Sequence, residues 1–247
     1  MMNVSYRSFR SIGGGVMHDV FPAAASLILG ADPKLLGIVL LSLRISLTAV
    51  FIATLIGLPM GAALALYRFP GRSGAVVVLN ALMGLPPVVA GLIIYLTLSR
   101  AGPLGSLGLL FTPTAMIVAQ ALIVLPIVAA LTRQVIADLW EEYREQLESL
   151  GSSRLRAIPT LLWDARFSLI TTVLAGFGRA AAEVGAVLIV GGNISGYTRV
   201  MTTAIALETS KGDLGLALAL GVILIGLIML VNGIAYGVGS VARRYYA

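Results

Sequence analysis

The sequence predicts an all-helical bundle embedded in a membrane, with five spanning helices and one short helix ahead of them, and three observations carry that expectation. Charged residues make up 11% of the 247 and hydrophobic ones 58%, with a mean hydropathy of +0.98. A soluble domain carries about 25% charged residues, so this chain cannot cover a water-facing surface, whereas a lipid-facing surface needs almost no charge. Five apolar stretches exceed the roughly 20 residues that a helix needs to cross hydrocarbon. Short polar connections separate them.

Taken in order, residues 21–31 (FPAAASLILGA) are apolar but too short to span, and Asp32 with Pro33 ends them. This part of 19–31 is read as an interfacial or re-entrant helix, a sixth span being the alternative. Residues 1–36 then form an N-terminal segment and residues 37–247 a transmembrane domain. The five spans are placed at 37–66, 75–99, 113–137, 167–190 and 213–241. Within them, Gly57 with Gly61 and Gly233 with Gly237 present small faces at helical spacing, as ordinary helix packing requires. Pro86, Pro87 and Pro126 free backbone carbonyls that lipid cannot satisfy. They favour a polar interior pathway in the second and third spans, kinked structural helices being the alternative.

Orientation follows from Lys and Arg in the connections. Arg68, Arg72, Arg133, Arg144, Arg154, Arg156, Arg166, Arg243 and Arg244 fall on one side, against Arg7, Arg10, Lys34, Arg100, Arg199 and Lys211 on the other. The richer side is expected to be cytoplasmic, which places the N-terminus outside and the C-terminus inside.

On that cytoplasmic side lies the longest polar stretch, DLWEEYREQLESLGSSRLRAIPTLLWDARF (138–167). Trp140, Tyr143, Leu147 and Leu150 recur at helical spacing, with the acids mainly on other faces. Gly151 ends that helix, and Ser152 or Ser153 caps a second one beginning at Arg154. Two short helices with an apolar stripe suit docking. Five acids between 138 and 148 argue against a resting place on anionic lipid.

Opposite charges also occur inside the apolar stretch GRAAAEVGAVLIVGGN (178–193). Arg179 and Glu183 are four apart, on one helix face, where each neutralises the other. A charge near the bilayer centre costs about 2.5–3.5 kcal/mol on insertion scales, so the pair is expected to face the bundle interior or water. A structural pair between helices and a pathway role both remain open. With Arg44 in the first span, the pair is expected to organise a polar lining or gate.

The chain resembles the membrane subunit of an ATP-binding cassette importer. In the cytoplasmic segment, 138–166, Glu145 and Gly151 fall at the acidic and glycine positions of that family's pattern E-A-A, three residues, G, nine residues, I, one residue, L-P. Leu161 stands at the isoleucine, whereas Gln146 and Leu147 replace the alanines and Trp163 and Asp164 the final Leu-Pro. The stretches LPPVVAGL (85–92) and GPLGSLGLLFTPTAMIVAQALIVLPIV (102–128) are similar to molybdate and tungstate permeases. GRAAAEVGAVLIVGGNISGYTRVMTTAIALETSKGDLGLALAL (178–220) is similar above all to tungstate permeases, and AEVGAVLIVGGN keeps molybdate and other oxyanions in view.

That resemblance implies a type I importer fold and a permease subunit for an oxyanion, tungstate first. It implies a homodimer, two ATPase subunits holding ATP and Mg on the cytoplasmic side, and an extracytoplasmic oxyanion-binding protein received by the outer loop 191–212 with Tyr197, Arg199, Glu208 and Lys211. Glu145, Leu147, Leu150, Gly151 and Arg154 are expected to couple the chain to the ATPase. Arg44, Arg179, Glu183, Asn193, Thr202 and Thr203 are expected along the pathway, where threonine hydroxyls and the Gly191-Gly192-Asn193 amides meet the anion; a plain chain reversal is the other reading of that turn.

Other classes are constrained by composition. No G-x-x-x-x-G-K-[ST] occurs, so the chain lacks that cradle for ATP. With no Cys and only His18, thiolate and multi-histidine metal centres are excluded, and no His lies near a candidate serine. No cofactor, metal or nucleic acid is expected on this chain. An ion-driven carrier or channel is the alternative; it predicts paired repeats or a titratable relay, and Glu183 alone stands clearly as an intramembrane acid. A membrane enzyme ranks last.

Overall fold

The computed structural model describes residues 22, 25, 26, 29, 30 and 33–246, with side chains through residue 237. The short helix expected within 19–31 falls outside the described residues apart from those isolated positions. Nine helices are described: α1 (Pro33–Leu66), α2 (Arg72–Met83), α3 (Pro87–Leu98), α4 (Pro113–Ser149), α5 (Arg154–Asp164), α6 (Arg166–Ala181), α7 (Gly185–Gly191), α8 (Met201–Lys211) and α9 (Leu214–Tyr246). One 3-10 turn, Gly105–Leu107, precedes α4, and no strand occurs among the described residues.

Three helices, α1, α4 and α9, are long and apolar enough to cross a membrane. At 1.5 Å per residue, α1 (34 residues) is about 50 Å long and α4 (37 residues) about 55 Å. Both overreach a hydrocarbon layer of about 30 Å. Two further spans are broken helix pairs, α2 with α3 at 101° and α6 with α7 at 57°, which brings the total to five when each pair counts once.

Several expected boundaries are corrected. Helix α1 starts at Pro33 rather than 37, because proline's fixed φ suits the first helical position. Residues 75–99 are not one helix: Pro86 and Pro87 supply no backbone N–H, and Pro86 is held extended at φ −61°, ψ 125° by the proline that follows it. Residues 167–190 break at 182–184, between Ala181 and Gly185. The segment 138–149 is not a separate surface helix but the last third of α4. Its residues, rich in Glu, Leu, Gln and Arg, are good helix formers with no Gly or Pro before Gly151.

Glycines let the long helices close on one another. A Cβ on Gly57 would lie 2.9 Å from Val128 Cγ1, and one on Gly61 2.8 Å from Thr132 Cβ, so α1 lies almost backbone to backbone on α4. The two broken spans meet in the same way, since a Cβ on Gly91 of α3 would sit 2.7 Å from Ala186 Cα of α7. Around that crossing Ile45, Ile94, Met116, Val187 and Val190 form a fully packed core. Gly233 differs from Gly57 and Gly61: a side chain there would meet nothing within 4 Å among the described residues. At the other end, Leu66, Ile136, Trp140, Ala157, Leu161 and Leu169 tie α1, α4, α5 and α6 into a second core. Arg72 closes the nearby C-terminus of α1, donating from Nε to the Leu64 carbonyl (2.8 Å) and from Nη2 to that of Ala65 (3.0 Å). Those carbonyls have no partner within the helix.

Candidate functional site

Glu183 occupies the joint between α6 and α7, and three of its groups are engaged there. Arg179 Nη1 approaches its Oε2 at 3.1 Å. The Ala186 N–H donates to its Oε1 at 3.1 Å, satisfying one of the orphan amides at the start of α7. Its backbone carbonyl accepts the Thr202 hydroxyl at 2.8 Å. Glu183 is 3% exposed and Arg179 32%, so the carboxylate is sealed in while the guanidinium keeps access to the surroundings. The spacing of four does pair the two side chains, and the pair holds a bend rather than lining a continuous helix.

The far side of the joint is held by residues that the sequence reading passed over. Gln120 of α4 donates from Nε2 to the Ala180 carbonyl at 3.0 Å, and its Oε1 is buried without a partner. Ser42 of α1 accepts the Met201 N–H at 2.7 Å, anchoring the start of α8 inside the bundle. Ser42, Ser46, Gln120, Ala181 and Thr202 line a cavity of about 10 Å³, room for about one water. A buried amide and hydroxyls at mid-span on neighbouring helices were the available signal, since lipid rewards none of them.

The segment 191–212, expected as the outer loop that receives the binding protein, is a turn followed by α8; the turn leaves Gly192 and residues 194–197 exposed and buries Thr198. Gly192 is left-handed at φ 68°, and its N–H donates to the Leu188 carbonyl (2.9 Å) as the cap of α7, so that amide is not free for an anion. Asn193 (φ 51°) reverses the chain and donates from Nδ2 to the Thr203 carbonyl at 3.4 Å. The Thr203 hydroxyl accepts the Val200 N–H at 3.1 Å, closing the start of α8. Thr198, fully buried, stitches the turn by donating to the Gly191 carbonyl (2.6 Å) and accepting from Ile194 N–H (2.9 Å). The hydroxyls of Thr202 and Thr203 are therefore spent on the fold in this conformation.

Arg44 is not beside the Arg179–Glu183 pair. It lines a separate cavity of about 640 Å³ with Lys34, Tyr197, Arg199 and Glu208. Arg199 is 20% exposed, with Nη1 at 4.0 Å from Glu208 Oε1, while Lys211 Nζ holds the same carboxylate oxygen at 3.0 Å.

The polar segment at the opposite end is built as a helical corner. Gly151 is left-handed (φ 74°), its N–H donates to Glu148 (3.0 Å) and the Ser152 N–H to Leu147 (2.9 Å), a Schellman closure of α4. Ser153, rather than Ser152, caps α5 through the Arg156 N–H. Trp140, Tyr143 and Leu147 face the core with Ala157 and Leu161, and the Arg154 guanidinium lies 5.8 Å from the Trp140 ring centroid. Leu150 departs from the expected inward stripe: at 81% exposed it projects outward because the helix ends beneath it. Glu145 is exposed, as are Leu155 and Trp163, leaving an acidic corner with apolar tips.

Residues 53–240 match the family described as binding-protein-dependent transport system inner membrane component. The chain is 40% identical to the tungstate uptake system permease protein of Peptoclostridium acidaminophilum, over 87% of this chain and 95% of that one. It is 37% identical to the counterpart from Campylobacter jejuni, over 88% and 91%. Similarity to the sulfate transport system permease protein of Salmonella typhimurium is lower, 29% identity over 82% and 76%.

Proposed function

The chain belongs to the family of binding-protein-dependent transport system inner membrane components, and from that premise we propose that it is the permease subunit of an ATP-driven tungstate importer. The observation that carries the choice of anion is the near-complete alignment with tungstate permeases at 37–40% identity, against 29% for a sulfate permease. Molybdate, a tetrahedral dianion of similar size, is the closest competitor. Selection between them falls to the extracytoplasmic binding protein. This subunit needs no active site of its own: ATP and Mg belong to two partner ATPases on the cytoplasmic side, beneath a homodimer of permeases. Lipid surrounds the bundle, with the N-terminus outside and the C-terminus inside.

Coupling runs through the corner at 138–166, where Glu145, Leu147, Leu150, Gly151 and Arg154 stand. Two rods lead from it to the joint. Helix α4 carries Trp140 at the corner and Gln120 at the joint, about 30 Å apart along one helix. Helix α6 follows α5 directly and ends at the joint after about 24 Å. Displacement of the corner by a closing ATPase therefore reaches Glu183 along two helices, α4 carrying Pro126 between Trp140 and Gln120. Because the joint is a break closed by an ion pair and capping bonds, it has few contacts to exchange between outward- and inward-facing states. Arg179, Glu183, Asn193, Thr202 and Thr203 act here by holding that joint, and Arg44 acts where the anion passes.

The test is anion uptake by the full complex in proteoliposomes. Tungstate accumulation that molybdate competes with more strongly than sulfate supports this function; equal transport of sulfate and tungstate contradicts it.

A further inference from the structure

We propose that the cavity between the start of α1 and the end of α8 is a transit site for a tetrahedral dianion, gripped by Arg44 and Arg199 and contested by Glu208. The inference rests on the oxyanion-permease reading and adds where in this subunit the anion pauses and what makes it leave.

Charge is the first observation. Among the described residues, the basic side chains Lys34, Arg44 and Arg199 line the cavity with one carboxylate, that of Glu208, so basic groups outnumber acidic ones along its wall, as an oxyanion requires. Much of the remaining wall, including Ile38, Leu40 and Leu41, is apolar. Low-dielectric walls focus the field of the cations into the space between them. At about 640 Å³ the cavity admits a hydrated oxyanion. Lys34 and Arg44 are ten residues apart on α1 and both line the cavity, which draws positive charge about 15 Å inward from the helix start.

Arg199 is the second observation. Its side chain is largely buried, yet its contacts are long: 4.0 Å to Glu208 Oε1 and 3.4 Å from Nη2 to the Asn193 carbonyl. Its Nε is buried with no partner at all. A charged donor removed from water with its bonds unmade is costly, so an acceptor that fills the fork is favoured. Arg44 is exposed and makes no ion pair among the described residues.

Glu208 supplies the release. Lys211 holds its carboxylate at 3.0 and 3.3 Å, which parks one anionic group beside Arg199 without neutralising it. An arriving dianion displaces this weak contact, and the carboxylate then competes for the same guanidinium. Binding is kept loose enough for the anion to move on, as a carrier requires.

The test is tungstate binding by equilibrium dialysis to the complete transporter in phosphatidylcholine nanodiscs, with the binding protein and ATP omitted. The proposal expects saturable binding, about tenfold weaker in Arg44→Gln and Arg199→Gln, a change of the size that one charge-assisted contact gives. Arg44→Lys and Arg199→Lys should recover most of it. Glu208→Gln should bind about tenfold tighter and turn over more slowly. Wild-type binding in both Arg44→Gln and Glu208→Gln overturns the proposal, and so does equal loss in the Lys and Gln variants, which marks a structural role. Binding of phosphatidylglycerol in mixed nanodiscs with no tungstate binding also overturns it, assigning the site to a lipid phosphate. Normal ATP-driven uptake in Arg44→Gln would remove the transit site and leave the permease reading standing; no tungstate uptake by the wild-type complex would remove both.

Discussion

Removing either partner of the Arg179–Glu183 pair should not cost the same, and the asymmetry is a sharp test of the joint. In Glu183→Gln the amide oxygen still accepts the Ala186 N–H, so the loss is confined to the ion pair at 3.1 Å. A hydrogen bond to a charged group is worth about 1.5–3 kcal/mol, and Arg179, one-third exposed, recovers part of it by turning outward. The expected loss is roughly 2 kcal/mol, which for a chain of this size lowers Tm by roughly 4–8 °C. In Arg179→Met the carboxylate stays behind, 3% exposed and without its cation. Breaking a buried pair this way costs about 3–5 kcal/mol. The double variant should lose less than the two singles together, because no charge is stranded. Thermal unfolding of the purified complex and uptake in proteoliposomes read both effects. Equal losses for the two single variants, or a greater loss for Glu183→Gln, would refute the assignment of Glu183 as the sealed member that closes the bend.

Other consequences follow from the same geometry. Gly151→Val forces a β-branched residue into a left-handed backbone (φ 74°) at a cost of about 1–2 kcal/mol. It should uncouple the complex, so that ATP hydrolysis loses its stimulation by loaded binding protein while the permease still assembles. Gly91→Val places a side chain 2.7 Å from Ala186 Cα, a backbone contact that cannot give way, and should destabilise by about 2 kcal/mol or more. Gly74→Ala, where a Cβ meets nothing within 4 Å, should instead stabilise α2 by about 0.5–1 kcal/mol; thermal unfolding of the pair distinguishes steric crowding from a general intolerance of glycine replacement. Trp163→Ala removes a 67% exposed apolar tip of the corner and should weaken capture of the ATPase subunit, measured by co-purification, without lowering Tm.

The spanning stretches were legible because lipid imposes a composition that nothing else does, and each apolar stretch carries a helix or a helix pair. The bend at Pro86 and Pro87 was visible as unsatisfied carbonyls. The bend at 182–184 was not, since Ala182 and Val184 carry no breaking signal; the available hint was a carboxylate shortly before a helix start, at Glu183 and Gly185. The continuity of α4 was masked by the switch from apolar to polar residues at 138, which changes the solvent without changing the helix. Spacing found the Arg179–Glu183 pair because that contact is local. The gathering of Arg44, Arg199 and Glu208 around one cavity joins residues more than 150 apart in the chain, and no local pattern reports it. Gly233 shows the converse, a glycine at helical spacing whose added Cβ would meet nothing within 4 Å among the described residues.

The central claim is a conduit worked from one end by a separate engine, and accumulation of tungstate in sealed proteoliposomes tests it most directly. Uphill uptake should require this chain, the ATPase, ATP and the loaded binding protein together, and should stop when the ATPase is left out. Sustained accumulation against a gradient by this chain alone would contradict the account.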